Sequence, residues 1–166
     1  MSTRSRSPVP VLVLVSAVLV AATVVPALAS AGEAKRPRGA APPPAVLTTG
    51  ERAARVALQE VGVPYVWGGQ SPRGFDCSGL VRFAYLRVGI SLPHSSYALS
   101  TTGRRVDRSH LEPGDLLFYE RLGHVGIYVG EGRMVHAPQS GQSVEVVSVS
   151  GRYGSSFIAA RRVVRG

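Results

Sequence analysis

The chain has 166 residues, with 19 Lys and Arg against 10 Asp and Glu, a formal net charge of +9, and one cysteine. That length bounds it to about one domain, and a lone thiol excludes an intramolecular disulfide framework. No Arg/Lys stripe interleaved with aromatics and no nucleic-acid motif is present, so the positive charge is not read as nucleic-acid binding.

Residues 1–29 read as a secretory signal. Arg4 and Arg6 form a basic start, residues 9–25 are almost wholly apolar, and Ala27-Leu28-Ala29 gives the small-x-small pattern of a cleavage site. A retained membrane anchor is the competing reading. The apolar run is about 17 residues, at the short limit for crossing about 30 Å of hydrocarbon. Pro8, Pro10 and Pro26 bracket or enter it, so cleavage is preferred and no stable membrane anchor is expected afterwards. Residues 30–45 are rich in Ala, Gly, Pro, Lys and Arg and end in Pro42-Pro43-Pro44. Such a composition buries no core and is expected to be a disordered spacer. The folded domain is then residues 46–166, large enough to need no staples.

Within that domain, Thr49 is placed to cap a helix over residues 50–61, with Ala53, Val56, Ala57 and Val61 on one side. Gly62 and Pro64 end it, and residues 63–70, VPYVWGGQ, form a short extended, glycine-rich segment. A second helix is predicted over 77–88, with an apolar stripe of Leu80, Val81, Ala84, Tyr85 and Val88. Residues 91–109 read as a loop. Strands follow at 115–119, 124–129, 133–136, 144–149 and 157–164, separated by turns such as Glu131-Gly132 and Gln139-Ser140-Gly141. Two helices followed by neighbouring strands predict an α+β domain with a mostly antiparallel sheet of about five strands.

Cys77 stands at the first turn of the second helix, in Phe75-Asp76-Cys77-Ser78-Gly79-Leu80. Unpaired N–H groups and the dipole at such a position favour thiolate over thiol. His124 opens one strand and His136 closes the next, with a tight turn between them, so the two imidazoles are expected side by side at one end of a hairpin. A thiol, a base and a group that orients the base are what nucleophilic catalysis by cysteine requires. Taken one at a time, each of the three reads first as a buried or sheet-bound side chain; taken together they favour the catalytic reading. Asp76 is read both as the cap of its helix and as a site residue, Asp115 as fixing a turn, Trp67 as core, and His94 and His110 as solvated. No His/Cys/Asp cluster has metal-ligand spacing, so no metal and no cofactor is expected.

The motifs Pro64-Tyr65-Val66-Trp67-Gly68-Gly69, Asp76-Cys77-Ser78-Gly79-Leu80, Pro113-Gly114-Asp115-Leu116, His124-Val125-Gly126-Ile127-Tyr128-Val129-Gly130 and Val135-His136-Ala137 occur in that order. Together they make the chain resemble the NlpC-type family of bacterial cell-wall cysteine peptidases, over about residues 51–162. The resemblance implies a papain-like fold and hydrolysis of peptidoglycan stem peptides, usually at the bond between γ-D-glutamyl and a diamino acid, meso-diaminopimelate or lysine. It implies Cys77 as nucleophile, His124 as base and His136 as orienting residue. Tyr65 would help hold the oxyanion, and Asp76 and Ser78 would contact the amino-terminal side of the substrate. Its acid limb of activity would follow protonation of His136. Many members carry a glutamine after the catalytic helix, where residues 92–99 of this chain have leucine. The implied product is a secreted, wall-associated monomer whose partners are stem peptides. Removing the signal's two Arg leaves +7, a charge that attraction to anionic wall polymers and Arg enrichment from a GC-rich genome explain equally well. An amidase or acyltransferase on the same scaffold, and a catalytically idle wall-binding protein, are the alternatives.

Overall fold

The structure is a computed structural model that describes residues 46–163; the expected signal and spacer lie outside the described residues. Helix α1, Thr49–Gln59, begins at the predicted cap, one residue before its predicted start. Thr48 is the N-cap, its hydroxyl accepting from the Glu51 N–H while the Glu51 carboxylate accepts from the Thr48 N–H. This reciprocal pair satisfies two of the N–H groups a helix start leaves open. The buried face of α1 is narrow and made of small residues, Ala53, Ala54 and Ala57, so α1 lies close against its neighbours, whereas Val61 falls beyond the helix and is exposed.

Two short strands, β1 Gln70–Ser71 and β2 Gly74–Phe75, pair antiparallel ahead of helix α2, Cys77–Leu86. Asp76 is the N-cap of α2, and Leu80, Val81, Ala84 and Tyr85 bury its apolar face. The predicted loop at 91–109 contains more than a loop. It holds a short helix α3, Ser96–Leu99, and strand β3, Arg104–Val106. Neither element is apparent from hydrophobic period, because β3 is Arg-Arg-Val and draws its hydrogen bonds from a strand far along the chain.

The remaining elements are β4 Leu116–Tyr119, β5 His124–Gly130, β6 Arg133–His136, β7 Glu145–Ser148, α4 Arg152–Ser156 and β8 Phe157–Arg162. They build a six-stranded sheet in the order β3-β8-β4-β5-β6-β7, antiparallel at every pair. The domain is thus the expected α+β class, with β3 as a sixth strand. Strand β4 is buried along its whole length. Leu116 and Phe118 join the core beneath α1 and α2, while Leu117 and Tyr119 join a second cluster with Val106, Met134 and Ala160 on the opposite face. Each large apolar side chain fully buried here contributes roughly 1.5–3 kcal/mol, so two layers anchor the sheet from both sides. Asp115 fixes its turn as expected, accepting the Glu112 N–H, and also holds the Arg162 guanidinium at 2.7 Å. Among the described residues no helix is long and apolar enough to cross a membrane.

Candidate active site

Asp76, Cys77 and Ser78 open α2 at the floor of an open cleft of about 1280 Å³, whose other lining includes Tyr65, Trp67, His94, Tyr97, Glu120, His124 and Gln139. The close fit of the α2 start to the preceding loop follows from two glycines. A Cβ on Gly79 would overlap the carbonyl oxygen of Gly69, and that same oxygen accepts the Asp76 N–H at 2.9 Å. The Asp76 carboxylate ties three segments together. Its Oδ1 accepts from the Gly79 N–H at 2.7 Å and the Ser78 hydroxyl at 3.0 Å, and its Oδ2 accepts from the Gly68 N–H at 3.0 Å. His94 Nε2 lies 3.0 Å from both carboxylate oxygens. His94 is therefore not the solvated loop residue the sequence suggested: the 87–95 connection folds back over α2 and sets it on Asp76.

On the opposite wall, His124 begins β5 and His136 ends β6. His124 Nε2 and His136 Nδ1 are 2.8 Å apart, and the rings meet edge to face at 5.0 Å. Gly126 makes room for this. A Cβ there would come within 2.8 Å of the Met134 sulfur and 3.3 Å of the His136 Cβ, which a packed interior does not absorb without movement. His124 Nδ1 has no hydrogen-bond partner among the described residues. His136 is completely buried, with Tyr153 Oη and a Glu145 carboxylate oxygen each 3.4 Å from its Nε2.

Burial is the main influence on the protonation of all three groups. It pushes the Cys77 thiol above its ordinary value, an effect to which the Asp76 charge adds and which the backbone N–H groups of Val125, Ser78 and Cys77 itself oppose. The expectation of a helix-stabilised thiolate is thereby corrected: desolvation outweighs the helix terminus. The N–H of Val125, next to His124, nonetheless places the sulfur beside the start of β5. His124 is held below 6.5 by burial, with Arg152 lowering and Glu120 raising it. His136 is pushed down to about 3, first by burial and then by His124 and Arg152. Both imidazoles are neutral at neutral pH. His136 gains its proton only well below its ordinary range, so the acid limb expected from it is displaced down toward about pH 3. Tyr65 is half-buried, and burial with the nearby Cys77 and Asp76 raises its phenol, keeping it a donor.

The structure thus brings Tyr65, Asp76, Cys77, Ser78 and His124 to one cleft, with His136 directly behind His124. Trp67 is 86% exposed and belongs to the rim, not the core; its glycine neighbours, Gly68 and Gly69, were the available signal. Tyr97, 62% exposed, joins it there. Sequence reasoning also missed the segment entering β5. Glu120, Arg121 and Leu122 have φ of 52, 56 and 73, three successive non-glycine residues in left-handed backbone at about 1–2 kcal/mol each.

The family model described as the NlpC/P60 family matches residues 62–163, most of the described domain and every cleft residue named above. The chain belongs to the NlpC/P60 family. A probable endopeptidase of Mycobacterium tuberculosis is 54% identical over 101 residues, 59% of this chain and 26% of that protein. Murein DD-endopeptidase MepH of Escherichia coli is 41% identical over 129 residues, 69% of this chain and 47% of that protein. A gamma-D-glutamyl-L-lysine dipeptidyl-peptidase of Bacillus cereus is 38% identical over 109 residues, 61% of this chain and 33% of that protein. The crystal structure of an NlpC/P60 family protein from Bacillus cereus superposes with a TM-score of 0.67 at 34% identity, covering 70% of this chain and 40% of that one. The fold is accordingly papain-like, and the chain matches less than half the length of each of these curated relatives.

Proposed function

We propose that this NlpC/P60 protein is a secreted cysteine peptidase that hydrolyses peptidoglycan stem peptides, with Cys77 as nucleophile, His124 as general base and His136 as the residue that orients it. The observation that carries the reading is the pairing of His124 Nε2 with His136 Nδ1 at 2.8 Å beside a cleft holding a single thiol. With its Nε2–H donated to the lone pair of His136 Nδ1, neutral His124 presents the lone pair of Nδ1 as its basic nitrogen. Because burial keeps Cys77 a thiol, the proton moves to His124 as the sulfur attacks. The S–C bond forms, His124 returns that proton to the nitrogen as the C–N bond breaks, and water then releases the acid and the thiol. The Cys77 N–H and the Tyr65 hydroxyl are the donors nearest the developing oxyanion. Asp76 and Ser78 face the acyl side.

The bond proposed is that between γ-D-glutamyl and a diamino acid, which accords with the name of the Bacillus cereus relative. The Escherichia coli relative's name favours a second reading, a cross-link joining two D-centres. Digestion of purified muropeptides, followed by mass spectrometry, separates the two by product mass. Cys77→Ala should abolish either product while leaving the circular dichroism spectrum unchanged; retained cleavage would refute the nucleophile. The same reading takes residues 1–29 as a signal, 30–45 as a spacer and 46–166 as a monomeric catalytic domain, with anionic wall polymers as a second, charge-driven partner. Terminal sequencing of the secreted form should then begin near Ser30.

A further inference from the structure

Beside His124 and next to the cleft lies a smaller cavity of about 330 Å³ lined by Glu120, His124, Gln139, Gln142, Arg152 and Tyr153. Glu120, Gln139 and His124 line both spaces, so the two adjoin at the base. The cavity carries one full charge of each sign. Neither the Glu120 carboxylate nor the Arg152 guanidinium forms a hydrogen bond or ion pair with a side chain among the described residues. They do not pair with each other, although both act on His124, Glu120 raising and Arg152 lowering its affinity for a proton. Arg152 is held over the Tyr153 ring, 5.9 Å from its centroid. Glu120 is held by the left-handed turn, which three side-chain-bearing residues adopt against their preference. Two opposite charges kept apart on the wall of one cavity are a receptor for a group that carries both charges itself.

The position of that group follows from the chemistry. In amide hydrolysis by a thiol, the base that accepted the thiol proton delivers it to the leaving nitrogen, so the leaving residue lies on the His124 side of the scissile bond. Asp76 and Ser78 stand at the other end. We propose that Glu120 and Arg152 form the subsite for the side chain of the leaving diamino acid, and select a diamino dicarboxylic acid such as diaminopimelate over a diamino monocarboxylic acid such as lysine. The inference rests on the peptidase reading above and names the substrate class of that site. An ε-ammonium alone satisfies Glu120 and leaves Arg152 unpaired. A side chain ending in both ammonium and carboxylate satisfies both, and the planar guanidinium suits a carboxylate with two parallel N–H···O bonds. Gln139 and Gln142 supply neutral donors and acceptors at the same wall.

The test uses the full chain and two tripeptides whose L-centre α-carboxyl is amidated, so that only the side-chain ends differ: L-Ala-γ-D-Glu-meso-diaminopimelate and L-Ala-γ-D-Glu-L-Lys. The parent should favour the diaminopimelate peptide in kcat/KM by about tenfold to a hundredfold, the range of one charge-assisted hydrogen-bonded pair. Arg152→Gln should bring that ratio near one, and Arg152→Lys should restore part of it. Any effect of Arg152 on His124 is common to both peptides and cancels in the ratio. Glu120→Gln should weaken both, since both carry the ammonium. A parent that cuts the lysine peptide equally well, or an Arg152→Gln protein with an unchanged ratio, would overturn the proposal. Calorimetry with the Cys77→Ala protein gives a second reading without turnover: the diaminopimelate peptide should bind more tightly, and equal affinities would count against the subsite. If the parent cuts neither peptide, the peptidase reading has failed, and the binding order alone decides the subsite.

Discussion

The two walls of the cleft are held in different ways. On the α2 wall the carboxylate next to the thiol is already engaged: Asp76 accepts from Gly68, Ser78 and Gly79 and meets His94. That wall is set by hydrogen bonds before any ligand arrives. On the sheet wall the paired imidazoles are buried and neutral, and Glu120 and Arg152 line the cavity beside them. Geometry is thus fixed on one side by local bonding and on the other by burial. The first should suffer in stability from loss of its one carboxylate, and the second should weaken as pH falls and its imidazoles gain protons.

The largest expected effect falls on the sheet wall. His136→Ala removes the acceptor for His124 Nε2 and should lower kcat by about a hundredfold or more, with little change in KM. His136→Asn keeps an acceptor and should retain kcat within about tenfold. Steady-state kinetics on one defined muropeptide checks both, and an unchanged kcat in His136→Ala would make the sheet wall merely structural. Next comes Asp76→Ala, which removes the α2 cap and strands the Gly68 N–H. The cap alone is worth about 1 kcal/mol, so thermal unfolding should shift down by roughly 2–8 °C, and activity should fall with it; a shift within error would show that the α2 wall does not depend on its carboxylate.

A pH titration of stability separates the walls directly. His124 and His136 are both depressed in the folded state, so the unfolded chain binds more protons than the native one below about pH 6.5. Their contribution is complete above that pH and is lost as pH falls toward about 3, the folded value of His136. Urea midpoints should therefore drop from pH 7.5 to pH 5, and more steeply in the parent than in His136→Asn. Equal slopes would mean that the buried imidazole carries no linkage. The smallest effect belongs to Trp67→Ala. The ring is exposed, so stability should stay within about 0.5 kcal/mol, while KM rises if the rim of the α2 wall holds the substrate.

Much of the site was legible in the sequence because its parts are local. Asp76-Cys77-Ser78-Gly79 reads as a capped helix start whatever surrounds it, since an N-cap and the orphan N–H groups of a first turn depend only on adjacent residues. The hairpin from His124 to His136 is likewise local: two short strands and the Gly130–Gly132 turn bring both imidazoles to one end. The parts that were misread depend on contacts distant in sequence. His94 looked solvated because nothing near it in the chain predicts Asp76, and β3 looked like loop because its partner is β8. Trp67 was assigned to the core on residue type, and only the packing of the glycine-rich loop against α2 shows that no core is there to receive it.

The amino-acid sequence by itself determined the α+β order of elements, the helix that begins at the thiol and the hairpin that pairs the histidines. These follow from propensity, capping and period, which act over a few residues. Only the tertiary structure decided the charge state of the site. Desolvation depends on how many groups from separate segments close over an atom, and it is this burial, not the helix terminus, that keeps Cys77 a thiol and both imidazoles neutral. The same holds for Glu120 and Arg152, which the left-handed turn before β5 and the short helix before β8 bring to the wall of one cavity without pairing them.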